Sequence, residues 1–301
     1  MKTVSLRSRK SKVAVKDLGR ATRSGDTVGD FIRGLPNLLA ARDFRDLTAR
    51  MRKARETGRA LIWAMGAHVI KVGLSPVLIE LMKDGWISAL AFNGAGIVHD
   101  FELAFGGATS EDVAARIKTG TFGMTREAGD FLNEAIKKGA ERDQGLGEAV
   151  GEAIAGSRFP FKNLSLLGTA HRLGIPATVH VAIGTDVIHL HPQASGEAIG
   201  KTSLRDFFLL SALVGKLEGG GVFLNIGSAV VLPEVFLKAV SLVRNQGGKL
   251  DGFSTAVFDF IRHYRPSQNV ALRPLGKTGR GFYFVGHHEI MIPLLAAGLR
   301  S

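Results

Sequence analysis

From about residue 60 to the end of the chain, short apolar runs alternate with amphipathic stretches. The runs ALIWAMG (60–66), ISALAFNG (87–94), IPATVHVA (175–182), GVFLNIG (221–227), FSTAVFDF (253–260) and GFYFVG (281–286) lack a clean polar alternation. That is the pattern of strands buried on both faces. Between them, SPVLIELMKDG (75–85) reads as a helix with Pro76 in its first turn and Gly85 at its end. TSED (109–112) reads as a capping box that opens VAARIKTG. Helices are also expected over 125–139, 146–155, 163–174, 203–217, 232–246 and 289–299. Strand then helix, repeated, predicts a doubly wound, mostly parallel, Rossmann-like α/β sheet with helices on both faces. Upstream, residues 28–58 have helical spacing interrupted at Pro36, which predicts two helices. Residues 1–27 are rich in Ser, Lys and Arg without periodicity, and are expected to form a mobile extension. The division follows: a basic extension and helical arm over 1–57, and an α/β domain over 58–301.

Charge changes this picture at one end only. The chain carries a formal +12, yet residues 1–60 alone hold 16 Lys/Arg against 6 Asp/Glu. The body is therefore close to neutral, and the basic signal belongs to the arm. No aromatic residue interleaves with its first charges, so a solvated or subunit-contacting arm is favoured over a nucleic-acid tail. There is no cysteine in the 301 residues. This removes thiol catalysis, disulfides and Cys-ligated metal, and fits a cytoplasmic location. The most apolar stretch, 221–243, is broken by Pro233 and Glu234, so no membrane span or membrane partner is expected.

Parallel sheets bind ligands beyond the carboxyl ends of their strands. The residues expected there are Ala67 and His68, Asn93 to Gly96, Ile183 to Asp186, Gly227 and Ser228, Ser254 to Ala256, and Gly286 to Glu289. In FNGAGIVHDFE (92–102), Gly94 and Gly96 would let backbone approach a phosphate or ribose, although the G-x-G-x-x-G fingerprint is absent. His99, Asp100 and Glu102 follow that turn as possible acid, base or amine-holding groups. His180, His189, His191, His287 and His288 with Asp186 and Glu289 are nitrogen and oxygen donors of a kind metals accept. Packed or substrate-contacting histidines are the preferred reading, and no metal is expected. GKTGRG (276–281) sets Lys277 and Arg280 among glycines but lacks the surroundings of a phosphate-binding P-loop. A lysine there is either a basic turn or an imine former.

The order and spacing of AMGAHVIKVGLSP, AFNGAGIVHDFE, GIPATVHVAIGTDVI, GVFLNIGSAVV, FSTAV and HHEIMIPLL resemble deoxyhypusine synthase over about residues 57–301. The resemblance implies a homotetramer with buried NAD. It also implies oxidation of spermidine and transfer of an aminobutyl group through an enzyme lysine. The acceptor would be a lysine-bearing protein, or putrescine in homospermidine-forming relatives. Asn93, Gly94, Ala95, Ser228, Thr255 and Ala256 match cofactor positions; Ala67, His68 and Lys71 fall at cofactor positions with changed side chains, and His287 and His288 stand where the family has Asp-Ala against the cofactor. Asp186 matches a polyamine-binding aspartate. The paired acids of the family are replaced by Val98 and His99, with Asp100 just beyond. A central histidine is replaced by Pro233, with Glu234 beside it. The imine lysine aligns with Pro274, leaving Lys277 nearby. On this basis Lys277, His99 and His288 are expected as catalytic groups, and Asp100, Asp186, Glu234 and Glu289 around a small amine. Fewer acids than the family pattern argue against a tricationic substrate. Two alternatives stay open: an NAD-binding oxidoreductase without the lysine step, and a non-catalytic nucleotide-binding protein whose arm contacts RNA.

Overall fold

The computed structural model describes residues 1–301. Six strands carry the sheet: β1 Leu61–Met65, β2 Ala89–Asn93, β3 Ala177–His180, β4 Val222–Ile226, β5 Ser254–Asp259 and β6 Arg280–Val285. Thirteen α-helices surround it. The first half holds α1 Val28–Gly34, α2 Leu39–Glu56, α3 His68–Lys71, α4 Ser75–Lys83, α5 Gly94–Gly106, α6 Val113–Ile117, α7 Arg126–Glu141 and α8 Leu146–Gly156. The second half holds α9 Leu166–Leu173, α10 Gly196–Gly215, α11 Val231–Asn245, α12 Tyr264–Asn269 and α13 His288–Arg300.

The strand order is β3-β2-β1-β4-β5-β6, and every pairing is parallel. This is the doubly wound arrangement, with its order reversing between β1 and β4. Successive residues of a strand face opposite sides. Leu61, Trp63 and Met65 accordingly enter one core, of 49 buried residues. Ile62 and Ala64 enter the other, of 19. The larger core takes α2, α4, α5, α7 to α9 and α13, so the sheet is thickest on that side. The continuous apolar runs that predicted two-sided burial are all core strands, save that edge strand β6 alternates toward solvent.

The predicted break at Pro36 separates α1 from α2. α2 is not a detached arm. Phe44, Leu47 and Met51 are buried in the larger core, and Arg280 of β6 pairs with Asp43 at 2.6 Å and Asp46 at 2.9 Å. Residues before α1 form only two short 3₁₀ turns with no buried residue. No helix is long and apolar enough to cross a membrane.

Two buried carboxylates stitch the helices to the sheet. Asp206 on α10 accepts from the amides of Gly147 (2.9 Å) and Val179 (2.7 Å). Asp100 on α5 accepts from the Ser165 hydroxyl (2.5 Å) and from the amides of Leu166 (2.7 Å) and Leu167 (3.1 Å) at the start of α9. Burial outweighs those bonds, pushing Asp206 up to about 7 and Asp100 up to about 6. A carboxyl whose pKa is raised on folding stabilises the fold fully below its unfolded value near 4, and that stability is lost as pH climbs through the folded value. At about 1.4 kcal/mol per unit, the Asp206 shift is worth on the order of 4 kcal/mol. Thermal unfolding is therefore expected at a higher temperature at pH 5 than at pH 8. Asp206→Asn should flatten that difference, and a profile unchanged by the substitution would refute the assignment.

Candidate active site

At the reversal point, the loops after β1 and β4 touch. A Cβ on Gly66 would fall 2.2 Å from the Gly227 carbonyl oxygen, so glycine is required there. Beside this contact lie three rings. His68 meets His288 with centroids 5.2 Å apart and Phe260 at 5.8 Å. Burial, then the neighbouring His288 and Lys71, hold the His68 pKa below its ordinary value, so the ring is neutral at pH 7. His288 is fully buried, with Nε2 bonded to the Phe258 carbonyl at 3.2 Å and Nδ1 unpartnered. The Ser228 hydroxyl accepts from the Leu232 amide in the first turn of α11 at 3.2 Å.

The adjoining cavity, of about 190 Å³, lies over the carboxyl ends of β1 to β3. Lys71 from α3, His99 and Glu102 from α5, Glu111, and Asp186 from the loop after β3 supply its charges. The Thr109 hydroxyl donates to Glu102 Oε2 at 2.5 Å and so accepts from His99 Nδ1, 2.6 Å away. Nδ1 therefore donates, so the neutral form of the ring has its lone pair on Nε2. Burial pushes the Glu102 carboxyl up, but bonds from His99 and Thr109 outweigh it and hold the pKa below its usual value. A Thr–Glu pair that orients an imidazole is the arrangement a general base needs.

Asp186 is the other notable acid. It packs on Gly94, where a Cβ would come 2.0 Å from its Oδ2. Burial raises its pKa, while His189 and the Ala182 and Ala95 backbones lower it less. Its Oδ2, the Asn93 Oδ1 and the His189 Nε2 are buried without partners. His189 Nδ1 accepts from the Gly184 amide at 3.2 Å, so Nε2 carries a proton. Two acceptors and one donor without protein partners suit a ligand bearing hydroxyl or ammonium groups. They therefore fit a ribose of NAD beside Asn93, and an amine beside Asp186.

The expected residues thus divide. Ala95, His99 and Asp186 line the cavity, Gly94 packs behind Asp186 with Asn93 before it at the end of β2, and Ala67, His68, Ser228 and His288 lie at the neighbouring reversal point. Asp100 does not join them: it is 1% exposed and spent on capping α9. Glu234 is held on α11 by Lys238, by Arg265 at 3.3 Å and by Asn269 at 2.8 Å. Thr255 and Ala256 lie within β5 rather than at its end, and the Thr255 hydroxyl is bonded to the Val270 carbonyl at 2.8 Å. Asp259 and Phe260 occupy that strand end instead. His287 and Glu289 are exposed at the start of α13, 3.9 Å apart. Lys277 is exposed in the turn before β6, at the amino edge of the sheet, and the fold does not bring it to its own chain's cavity. His180, held to the Thr178 hydroxyl at 3.0 Å and pushed down to about 4 by burial, is a core histidine. His191 is bonded to the Gly123 carbonyl at 3.0 Å. No three histidines or carboxylates converge as metal ligands.

Glu102 was visible in sequence, three residues after His99 and so on the same helix face. Thr109 and Glu111 were not. The TSED stretch suggested a cap, but Asp112 caps α6 by accepting from the Ala115 amide at 3.1 Å. Ser110 at φ 71 turns the chain left-handed and frees Thr109 for the histidine. Glu111 instead accepts from the Gly123 amide at 2.8 Å.

No protein-family model and no curated protein matches the chain. Solved structures share its fold. A protein from Entamoeba histolytica assigned as a deoxyhypusine synthase superposes with TM-score 0.53 at 11% identity, over 93% of this chain and 95% of that one. A protein from Methanococcus maripaludis S2 assigned to the LOR/SDH type gives TM-score 0.51 at 16% identity, over 86% and 69% of the two chains. AgrE, solved in a ternary complex with ornithine and NAD⁺, gives TM-score 0.52 at 16% identity, over 86% of this chain and 32% of AgrE. This chain thus spans about a third of AgrE, and of the cyanobacterial arginine dihydrolase ArgZ. At these identities the likeness establishes the Rossmann-like α/β fold.

Proposed function

We propose that the chain is an NAD-dependent enzyme of deoxyhypusine-synthase type that oxidises a small amine at the cavity over β1 to β3. The observation that carries this reading is the cavity's charge set. One buried carboxylate with an unpartnered oxygen, Asp186 Oδ2, lines the same cavity as an imidazole whose Nδ1 donates to Thr109. Asp186 would hold a substrate ammonium, since an ionised acceptor deprived of water is relieved by a cation. His99 Nε2 would take the proton from the amine being oxidised, forming an imidazolium that Glu102 stabilises through Thr109. NAD would supply the hydride acceptor, with Asn93, Ser228 and the His68 ring as the groups that hold it. Ornithine and NAD⁺ in AgrE, on the same fold, are chemically consistent with an amine and a dinucleotide here.

If the alkylamine is passed on covalently, a lysine must reach the cavity. Lys71 lines it. Lys277 would reach it only from a second copy of the chain, which suits the homo-oligomer and lysine-bearing acceptor implied by the resemblance.

The test is mass spectrometry after incubation with NAD and spermidine, with and without putrescine, followed by borohydride. Release of 1,3-diaminopropane with an adduct on Lys71 or Lys277 supports transfer and identifies the lysine. Oxidation without release or adduct supports an oxidoreductase without the covalent step. Bound NAD with no turnover of spermidine, putrescine or ornithine overturns the amine reading. Thr109→Val breaks the link between His99 and Glu102. It is expected to lower kcat about 10-fold to 100-fold and to shift the alkaline-rising limb of the kcat profile. A loss in KM alone would argue against His99 as base.

A further inference from the structure

The GKTGRG turn does not line its own chain's cavity, yet it has its own surroundings. At the amino edge of the sheet, one strand length or about 15 Å from the carboxyl ends, lies a second concavity of about 420 Å³. Its lining contains no apolar residue and no carboxylate. Three cations face into it: Arg50 and Lys53 from the end of α2, and Arg59 from the approach to β1. Arg50 is positioned by Asp46 at 2.9 Å and by the Ser254 hydroxyl at 3.2 Å. Lys53 and Arg59 are exposed, and neither appears in any ion pair.

The other wall is backbone. The Gly219–Gly220 turn, at φ +75 and +126, and Gly252, at φ +74, take conformations that side chains resist. The amides of Gly220 and Gly252 donate to no backbone carbonyl. Thr278 of the GKTG turn closes the concavity, 3.9 Å from where a Gly252 Cβ would stand. Cationic side chains opposite unpaired glycine amides and a hydroxyl are the donor set that phosphoryl oxygens accept.

We propose that this glycine-backed cradle binds a phosphate-class oxyanion at a site separate from the amine cavity. Arg59 and Lys53 neutralise its charge, Arg50 is held ready by Asp46 and Ser254, and the Gly220 and Gly252 amides with Thr278 bond its oxygens. The site does not depend on the amine reading. Its size admits free phosphate, pyrophosphate or the diphosphate of a nucleotide.

The test is calorimetric titration of the full chain and of the Lys53→Ala/Arg59→Ala variant with sodium phosphate, pyrophosphate and ADP, at constant ionic strength and without NAD, whose own diphosphate would compete. Saturable binding of one equivalent is expected. Lys53→Ala/Arg59→Ala should weaken it at least 10-fold, without changing the unfolding temperature or NAD binding. Amide NMR should show Gly220 and Gly252 shifting with pyrophosphate. ADP binding tighter than pyrophosphate would assign the anion to a nucleotide, and the reverse to a free phosphate. Either supports the site. Absence of saturable binding by all three, or binding that the double variant leaves unchanged, overturns it. So does binding of a short RNA alone, which would make the region a nucleic-acid surface.

Discussion

Asp186→Asn is expected to separate activity from stability in opposite directions. Amine turnover should fall about 100-fold or more in kcat/KM, because a desolvated ammonium loses a charged partner worth roughly 3 kcal/mol. The unfolding temperature should rise at the same time. Burial raises the Asp186 pKa, and Oδ2 has no partner in the protein. A neutral amide of the same shape removes that desolvation. A gain of about 1 kcal/mol would appear as roughly 2–4 °C at this size. The stabilisation should be larger at pH 8 than at pH 4, since only the ionised carboxylate carries the penalty. Steady-state kinetics on spermidine, putrescine and ornithine, with calorimetric melting, check both halves. Unchanged kinetics would remove Asp186 from the amine site; a lower melting temperature would mean that its carboxylate serves the fold.

Asp100→Ala should behave in the contrary way. It removes the acceptor for one hydroxyl and two amides at the start of α9, all out of reach of water. Loss of a buried cap of this kind costs about 2–4 kcal/mol. The melting temperature should drop by roughly 5–15 °C, with KM for the amine unchanged in the folded fraction. A clear rise in KM with unchanged stability would return Asp100 to the substrate.

The contrast between these two aspartates explains how far the sequence could be read. Strands were legible because two-sided burial imposes continuous apolar runs, as in Leu61–Met65 and Val222–Ile226. Their carboxyl ends were legible too, because repeated strand–helix order fixes which edge collects ligands. Asp186 and His99 followed from that placement. What failed was direction. Nothing in the spacing of HDFE reveals that residue 100 turns inward to α9 while 99 and 102 line the cavity, since that depends on a helix more than sixty residues later. The FSTAVFDF run gave a strand but not its exit, so Thr255 was placed at an edge that Asp259 and Phe260 occupy. GKTGRG is the turn its glycines imply, but it precedes β6 and so stands at the amino edge, away from its own chain's cavity.

The junction of β1 with β4 carries a further consequence, for the order in which the molecule is made. Leu61 pairs with Val222 and Met65 with Ile226, so 161 residues separate the partners. At about 5–20 residues per second of synthesis, β1 waits roughly 8–30 s on the ribosome before its second neighbour exists. During that interval one apolar edge of a β3-β2-β1 half-sheet is unpaired, which makes folding slow and exposes a strand to mispairing. The Gly66–Gly227 contact can form only after this wait. The crevice at the reversal point is therefore a late product of folding, and nascent chains released before residue 227 would hold every residue that lines the cavity over β1 to β3 while lacking the crevice beside it.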